Sequence, residues 1–332
     1  MQLVEQAQTR VEELSKELNG FVPDMKVNWN SPARVKRVLN ELGLDVTNTD
    51  QEILEGLDHP IIPPLLDYRE VTKRAGTYGM KWIKYVHPAT GRIHPSWRQV
   101  GAKTGRMACS GPNLQNLPRN KSYRDCFRPG PGMVFVKADY SQIELRIVAE
   151  MANDPEMKQA FKEGHDLHIT TAMHVTGKVS PEDVTPEERQ LAKAMNFGLI
   201  YGMGAETLAR SAKTNFGVEL TKQESLQTRK QFFDLYTGIR TWHQIQGTRS
   251  ETKTVFGRKR IFQGQGRFTE KLNSPVQGSG ADGLKLALAL LWERRDECPG
   301  AFPVLTVHDE IVIEAPGDRA EGAKEWLVQC MT

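Results

Sequence analysis

The sequence predicts an α+β fold. A small, mainly antiparallel sheet is built from distant parts of the chain, with one helical module ahead of it and another inserted into it. Three observations carry this reading. Apolar residues recur at helical spacing through about the first 75 residues and again from 155 to about 250. A short apolar run, Met133-Val-Phe-Val-Lys-Ala138, ends in an acid, Asp139. Near the C-terminus, Val304-Leu-Thr-Val307 and Glu310-Ile-Val-Ile-Glu314 flank His308-Asp309, the pattern of a hairpin with acids at its tip.

Taken in order, residues 1–19 read as an amphipathic helix, with Leu3, Val4, Ala7, Val11, Leu14 and Leu18 on one stripe and Gly20 as the stop. Ser31 and Pro32 open a second helix whose apolar face is Val35, Val38, Leu39 and Leu42, ended by Gly43. Thr49 and Glu52 form a capping box for a third. Tyr85-Val-His87 and Arg92-Ile-His94 flank a turn and read as a hairpin, and 110–118 is turn-rich loop. The strand ending at Asp139 leads into a helix over about 143–151. The helical stretch that follows is broken near Gly177 and Gly217, and Asp166 is a candidate helix cap within it. Thr254–Gly257 and Arg260–Phe262 suggest another short hairpin. Ala281 to Arg295 reads as a helix, apolar nearly all round over Leu284–Trp292 and therefore expected to be buried on several sides.

The composition, 39% hydrophobic and 26% charged over 332 residues, is that of a globular protein with room for two or three folding units. A net charge of +3 names no partner, so any electrostatic footprint must be local. Arg119, Lys121 and Arg124 form one basic cluster and Arg258-Lys259-Arg260 another; each reads equally as a solvated face or as a phosphate contact. The four cysteines are scattered, with neither CxxC nor zinc-site spacing, which fits a reduced, cytoplasmic setting. The N-terminus does not have the pattern of a signal peptide, and no apolar run is long enough for a membrane span.

The chemistry-bearing residues fall in three groups. Asp139 and Asp309 are 170 positions apart, each where a short apolar strand runs out. Two strands of one sheet can bring such acids together. Oxygen ligands of that kind suit Mg²⁺, and paired ions would activate an attacking oxygen and stabilise a leaving one. The alternative is a pair of unrelated surface turns. Between them in sequence lie Arg189, Lys193, Phe197 and Tyr201, followed by Gly202. Four-residue steps advance about 400° on a helix, so all four are expected on one face. The cations suit phosphate oxygens and the aromatics a base or sugar. The alternative is a helix with its cations in water and its aromatics in the core. Glu144 reads either as a helix-surface acid or as a group beside a bound sugar. Arg106, in a loop after Thr104-Gly105, suits phosphate or base edges. Gln115 and Asn116 carry amides that suit minor-groove acceptors but more commonly bond to backbone. His308 is either a turn residue or a contact to a primer phosphate. Gly278-Ser-Gly-Ala-Asp-Gly283 matches GxGxxG, but it lacks the preceding strand and βαβ setting of a dinucleotide site. His165 and His168 lack a third ligand nearby in sequence.

These motifs together resemble the polymerase domain of family A DNA polymerases, the bacterial DNA polymerase I type. Asp139-Tyr-Ser-Gln-Ile-Glu-Leu-Arg146 looks like motif A, Arg189-x3-Lys193-x3-Phe197-Gly-x2-Tyr201-Gly202 like motif B, and Val307-His-Asp-Glu310 like motif C. The likeness extends to Thr104-Gly-Arg106, Asn113–Pro118 and Ser274–Gly278, and covers about residues 30–315.

The resemblance implies a right-hand polymerase fold: a short helical thumb (1–78), a palm with an antiparallel sheet (79–154 and 263–332) and helical fingers (155–262). It implies template-directed addition of deoxynucleoside triphosphates to a primer 3′-hydroxyl on primer–template DNA, by a monomer, with two Mg²⁺ ions and Mn²⁺ able to substitute. Asp139, Asp309 and the Tyr140 carbonyl would be the metal ligands, with Glu310 close by. Arg189 and Lys193 would hold the triphosphate, with His168 nearby and Lys193 also in the catalytic set. Phe197, Tyr201 and Gln142 would belong to the nucleotide site, and Glu144 would exclude a 2′-hydroxyl. Arg106, Gln115, Asn116, Gln277 and His308 would contact primer–template DNA. The region before residue 80 is shorter than a usual family thumb, the chain stops soon after motif C, and no segment is left for a 3′–5′ exonuclease, so proofreading is not expected. Two rivals are a phage-type single-subunit RNA polymerase, with Glu144 and Phe197 favouring deoxynucleotides, and a non-catalytic DNA-binding relative, disfavoured by the full set of acids and cations.

Overall fold

A computed structural model describes residues 2–78, 80–118, 120–264 and 266–332. Arg119 of the first basic cluster and the side chains of Leu3 and Glu52 lie outside the described residues. The chain divides into two compact units, Met1–Ser96 with Leu117–Cys126, and Trp97–Asn116 with Phe127–Thr332.

The first unit is helical: α1 (Gln2–Gly20), α2 (Pro32–Glu41), α3 (Gln51–Leu54), α4 (Ile62–Tyr78) and the single turn α5 (Lys121–Arg124). The stripe read from the sequence is its core, where Leu14, Leu18, Val35 and Leu39 pack with Trp29, Leu54 and Leu65. Two expectations change. The third helix is one turn with Asp50 at the N-cap position and no side-chain cap hydrogen bond, and Thr49 instead accepts a hydrogen bond at Oγ1 from Arg69 Nη2, 2.8 Å away. A long cation reaching across from α4 has taken the hydroxyl that a local cap would have used. The hairpin at 85–94 is reduced to one bridge, Val86 to Ile93.

The second unit carries the sheet. After the short strands β1 (Ser96–Arg98), which begins at the boundary, and β2 (Ala108–Ser110) comes β3 (Met133–Asp139). The helices α6 (Ile143–Met151), α7 (Pro155–Glu163), α8 (Leu167–Thr176), α9 (Pro186–Leu199), α10 (Ala205–Phe216), α11 (Lys222–Leu235) and α12 (Thr237–Thr248) follow. The chain then forms β4 (Glu251–Lys253), β5 (Lys259–Ile261), α13 (Phe268–Glu293), β6 (Phe302–Val307), β7 (Glu310–Pro316) and α14 (Ala320–Met331). The α+β expectation holds: β3, β7 and β6 lie side by side in that order, all antiparallel. Ile311, Ile313 and Ala315 of β7 are buried with Leu284, Leu291, Trp326 and Leu327 of α13 and α14. A second core gathers the inserted helices around Leu145, Met157, Leu199, Phe232, Tyr236 and Leu272.

The structure differs from three local expectations. Residues 254–257 are the turn of the β4–β5 ribbon rather than a strand. The helix expected from Ala281 starts at Phe268 and runs through Pro275. Proline at an interior position removes a backbone donor, but Pro275 and Val276 are buried in the helical core, and burial outweighs the local signal to stop. The same helix is not buried all round, since Leu286 and Trp292 are 49% and 69% exposed. Trp292 is instead covered on one face by the Arg295 guanidinium, 4.6 Å from the ring centroid.

Asp154 fastens the inserted helices together. Its carboxylate is fully buried and accepts from Met157 N (3.1 Å), at the start of α7, and from Ile239 N (3.2 Å), at the start of α12. Gly238 lets the backbones meet, since a Cβ there would lie 2.6 Å from Asp154 Cα. Asp154→Ala would leave two buried N–H groups without an acceptor and should destabilise the protein by about 2–3 kcal/mol, measured by denaturant unfolding.

Candidate active site

The register of the sheet makes the acid end. Asp139, the last residue of β3, stands opposite Glu310, the first of β7, which in turn pairs with Val307 at the end of β6. The two residues between, His308 and Asp309, form the hairpin tip, with His308 in the left-handed region at φ 56°. Tyr140 N donates to the Asp309 carbonyl (3.2 Å), so the end of β3 is tied directly to that tip. Two strand ends 170 positions apart thus become neighbours, as the sequence pattern suggested.

Both carboxyls are pushed above the ordinary range. For Asp139 the causes are desolvation and then the charge of Glu310. For Asp309 burial comes first; Arg106 pulls the other way, while Glu144 and Asp139 add to the rise. Glu310 is itself paired with Lys137 (3.2 Å), and Arg106 approaches Asp309 no closer than 3.9 Å. Neighbouring carboxylates whose charge is so weakly compensated suit a divalent cation. Asp139, Asp309 and the Tyr140 carbonyl supply hard oxygen donors for one. Among the described residues no group of three or more His, Cys, Asp or Glu side chains gathers as a metal cluster.

Helix α9 supplies the cationic side. Thr185 and Glu188 form a reciprocal capping box, with Pro186 at the first helical position. Ala192, Met195, Asn196 and Leu199 are buried, whereas Lys193 and Phe197 are exposed on another face. The reading in which the aromatic faces the core is excluded for Phe197, which is 42% exposed. Tyr201 lies two residues past Leu199, where the helix ends, and is half-buried where Phe197 is exposed. Gly202, at φ 86°, turns the chain, and Gly202 N and Met203 N return to the Leu199 and Gly198 carbonyls.

Tyr201 donates through its hydroxyl to Glu144 Oε2 (2.6 Å). Burial, and then the Glu144 charge, push the phenol far above its ordinary range. Arg106 Nη2 binds the other Glu144 oxygen at 2.6 Å. Tyr201, Glu144, Arg106 and Asp309 therefore form a continuous chain from the end of α9 to the hairpin tip.

Arg189 forks onto Asp166 Oδ2 through Nε (2.9 Å) and Nη2 (2.6 Å), while Asp166 Oδ1 caps α8 at His168 N (2.8 Å). Burial raises the Asp166 carboxyl, but Arg189 and the His168 N–H overcome it and hold it below its ordinary value. Stability from this pair is therefore fully present above the unfolded value near 4 and is lost as pH falls through the lower folded value. With side chains 39% and 30% exposed, its worth is about 1 kcal/mol or less. Asp166→Asn should remove that part of the acid sensitivity, seen as pH falls below the ordinary carboxylate value, and change little else in a urea midpoint-against-pH series.

The remaining candidates divide. Arg106, Gln115 and His308 line one small cavity with Met107, Ala281 and Leu284. Gln277 lies half-buried in α13 next to Gly278, whose carbonyl shares Arg258 Nη2 with the Thr104 carbonyl (3.1 and 2.7 Å), so the Arg106 loop is held beside it. Asn116 is exposed at the end of the short turn of helix Leu114–Asn116, and Gln142 is exposed at φ 53° between β3 and α6. The GxGxxG match falls inside α13 and is no nucleotide loop. Two residues take roles the sequence did not suggest. Arg258 is a structural clamp, also paired to Asp282 (2.9 Å), rather than a solvated cation. Asn196 is fully buried and bonds to His168. A lone Asn among the apolar positions of α9 was the available signal for the second.

The whole chain, residues 1–332, matches the family model for DNA polymerase family A. DNA polymerase I of Aquifex aeolicus (strain VF5) is 38% identical over 336 residues, covering 96% of this chain and 57% of that protein. The thermostable DNA polymerase I of Thermus thermophilus is 38% identical over 325 residues, covering 89% and 38%. The chain thus spans 57% and 38% of the length of these two relatives. A solved structure, the POL domain of Pol1 from M. smegmatis in complex with DNA primer-template and dNTP, superposes with a TM-score of 0.89 at 29% identity, over 99% of this chain and 62% of that one. With the sheet-end acids, the exposed cationic helix and the loop motifs all falling within these matches, the chain belongs to DNA polymerase family A.

Proposed function

We propose that this chain adds deoxynucleotides to a primer 3′-hydroxyl under the direction of a DNA template, releasing pyrophosphate. The observation that carries the reading is the chain of contacts from Tyr201 through Glu144 and Arg106 to Asp309, which joins the nucleotide-binding helix to the acid end of the sheet. Asp139, Asp309 and the Tyr140 carbonyl would hold two Mg²⁺ ions, with Mn²⁺ able to substitute. Bound there, the ions supply charge compensation at the attacking hydroxyl and at the leaving pyrophosphate.

The protein's own groups do the rest. Lys193 and Arg189 receive the triphosphate, the first as a point charge and the second as a planar fork. Phe197 offers its exposed face to the sugar and base. Glu144, held from both sides by Tyr201 and Arg106, is a fixed wall where a 2′-hydroxyl would project. Arg106, Gln115, Asn116, Gln277 and His308 lie on the side assigned to primer–template DNA, with Gln142 and His168 in the nucleotide set. In this reading residues 79–154 and 263–332 are palm, 155–262 fingers and 1–78 thumb. The relative solved with primer-template and dNTP supports the same choice of substrates.

Templated primer extension with Mg²⁺ and either deoxy- or ribonucleotides tests it. Extension with the deoxy set is expected, and equal use of the ribo set would overturn the assignment of Glu144 and of the substrate.

A further inference from the structure

We propose that Asn196 fixes the tautomer of His168, donating from its amide to Nδ1 so that the ring stays neutral with its proton on Nε2 and offers one uncharged hydrogen-bond donor to a phosphate oxygen of the incoming nucleotide. The destination of that donor rests on the function proposed above; the tautomer does not.

Asn196, Thr171 and Tyr236 are all fully buried, and His168 is 5% exposed. One end of the Asn196 amide lies 2.8 Å from His168 Nδ1 and 3.4 Å from the Leu167 carbonyl oxygen. The other end lies 2.9 Å from Thr171 Oγ1, which is in turn 2.7 Å from the Tyr236 hydroxyl. A carbonyl oxygen only accepts, so the amide end facing both Leu167 and His168 is the NH₂. Its two protons then go to Leu167 and to Nδ1. Thr171 Oγ1 lies 2.9 Å from Asn196 Oδ1 and 2.8 Å from the Leu167 carbonyl oxygen, so its single proton is divided between these two acceptors, while Tyr236 donates to Thr171. Both amide protons of Asn196 then have an acceptor. The flipped amide would set an oxygen against the Leu167 oxygen and strand a buried N–H.

The consequence falls on the ring. A proton on Nδ1 would point at the amide protons, so Nδ1 is bare and a neutral imidazole carries its hydrogen on Nε2. The electrostatics agree. Burial first, and then the charges of Arg189 and Lys193, hold the imidazole below its ordinary pKa, against the opposing pull of Asp166. Nε2 has no partner among the described residues, while the ring packs 5.8 Å, centroid to centroid, from Phe197. Thr171 and Tyr236 brace Asn196 from behind and so act on the donor through it. A neutral donor keeps the same strength across physiological pH, which an imidazolium between two cations would not.

The test begins without any variant of the network. In ¹⁵N-histidine-labelled protein, with the resonance assigned by its loss in His168→Gln, Nδ1 should be unprotonated and Nε2 protonated at pH 7. An Nδ1–H tautomer would overturn the proposal whether or not the protein extends primers. Asn196→Asp, nearly isosteric, should turn the ring into an imidazolium and make nucleotide affinity fall as pH rises from 6 to 8. An unchanged spectrum and a flat profile would count against it. Asn196→Leu, where it folds, should raise the deoxynucleotide KM about tenfold with primer–template affinity unchanged. In a His168→Ala background it should add less than about twofold, and full additivity would assign Asn196 to packing alone. Absence of extension in the wild-type protein would defeat the functional reading and leave the nitrogen spectrum to decide the tautomer.

Discussion

Asp309→Asn is expected to lower primer extension by at least about 10³-fold, on the order of 4 kcal/mol in the barrier, while primer–template affinity changes less than about threefold. Asp139→Asn should do the same. The side chains keep their shape, so what is lost is negative charge at the junction of β3 with the β6–β7 tip. Stability should move in the opposite direction. The Asp309 carboxyl lies above its ordinary range through burial and neighbouring acids, so ionising it at neutral pH costs the folded state. A neutral isostere removes that cost, and the thermal midpoint in divalent-free buffer should rise. A chelator should stop extension by the wild-type protein, and Mg²⁺ or Mn²⁺ should restore it. A variant that loses activity and stability together would point to misfolding, and one that keeps its activity would refute the metal assignment.

That the acid pair could be read from the sequence has a physical reason. Short apolar runs that end in an acid specify strands locally, and an antiparallel partner with a two-residue tip needs no distant information beyond the pairing itself. The face of α9 was equally readable up to Phe197, because exposure follows helical phase. The burial of Tyr201 was less legible, because the acid that its hydroxyl bonds, Glu144, lies 57 positions away in sequence. The run of α13 through Pro275 was hidden for a related reason: local chemistry says stop, and only burial on several sides overrules it. Arg258 and Asn196 were illegible as polar ties because their partners lie elsewhere in sequence, at Asp282, Thr104 and His168. Patterns report which face is wet, but a buried polar group takes its meaning from acceptors that only the tertiary structure supplies.

Lys193→Ala should cost about 10²–10³-fold in kcat, and Arg189→Ala about tenfold, chiefly in KM. The difference follows from what each cation does in the free protein. Lys193 is exposed on α9 and has no carboxylate partner among the described residues, so its charge is uncommitted. Arg189 is already forked onto Asp166 at 2.6 and 2.9 Å and must exchange a carboxylate for a phosphate, which returns only the difference between the two. Releasing it with Asp166→Asn, whose amide oxygen still accepts from His168 N, should therefore tighten nucleotide binding a few-fold. Lys193→Arg should recover only part of the activity, since a planar fork does not reproduce a compact ammonium. Pyrophosphorolysis supplies the sharper test. A group that stabilises charge on the leaving pyrophosphate acts in one transition state shared by both directions, so Lys193→Ala should slow the reverse reaction at saturating pyrophosphate as well as the forward one. A loss confined to deoxynucleotide KM, with kcat within about threefold of wild type, would mean that Lys193 only binds the ground state, and its place in the catalytic set would have to be given up.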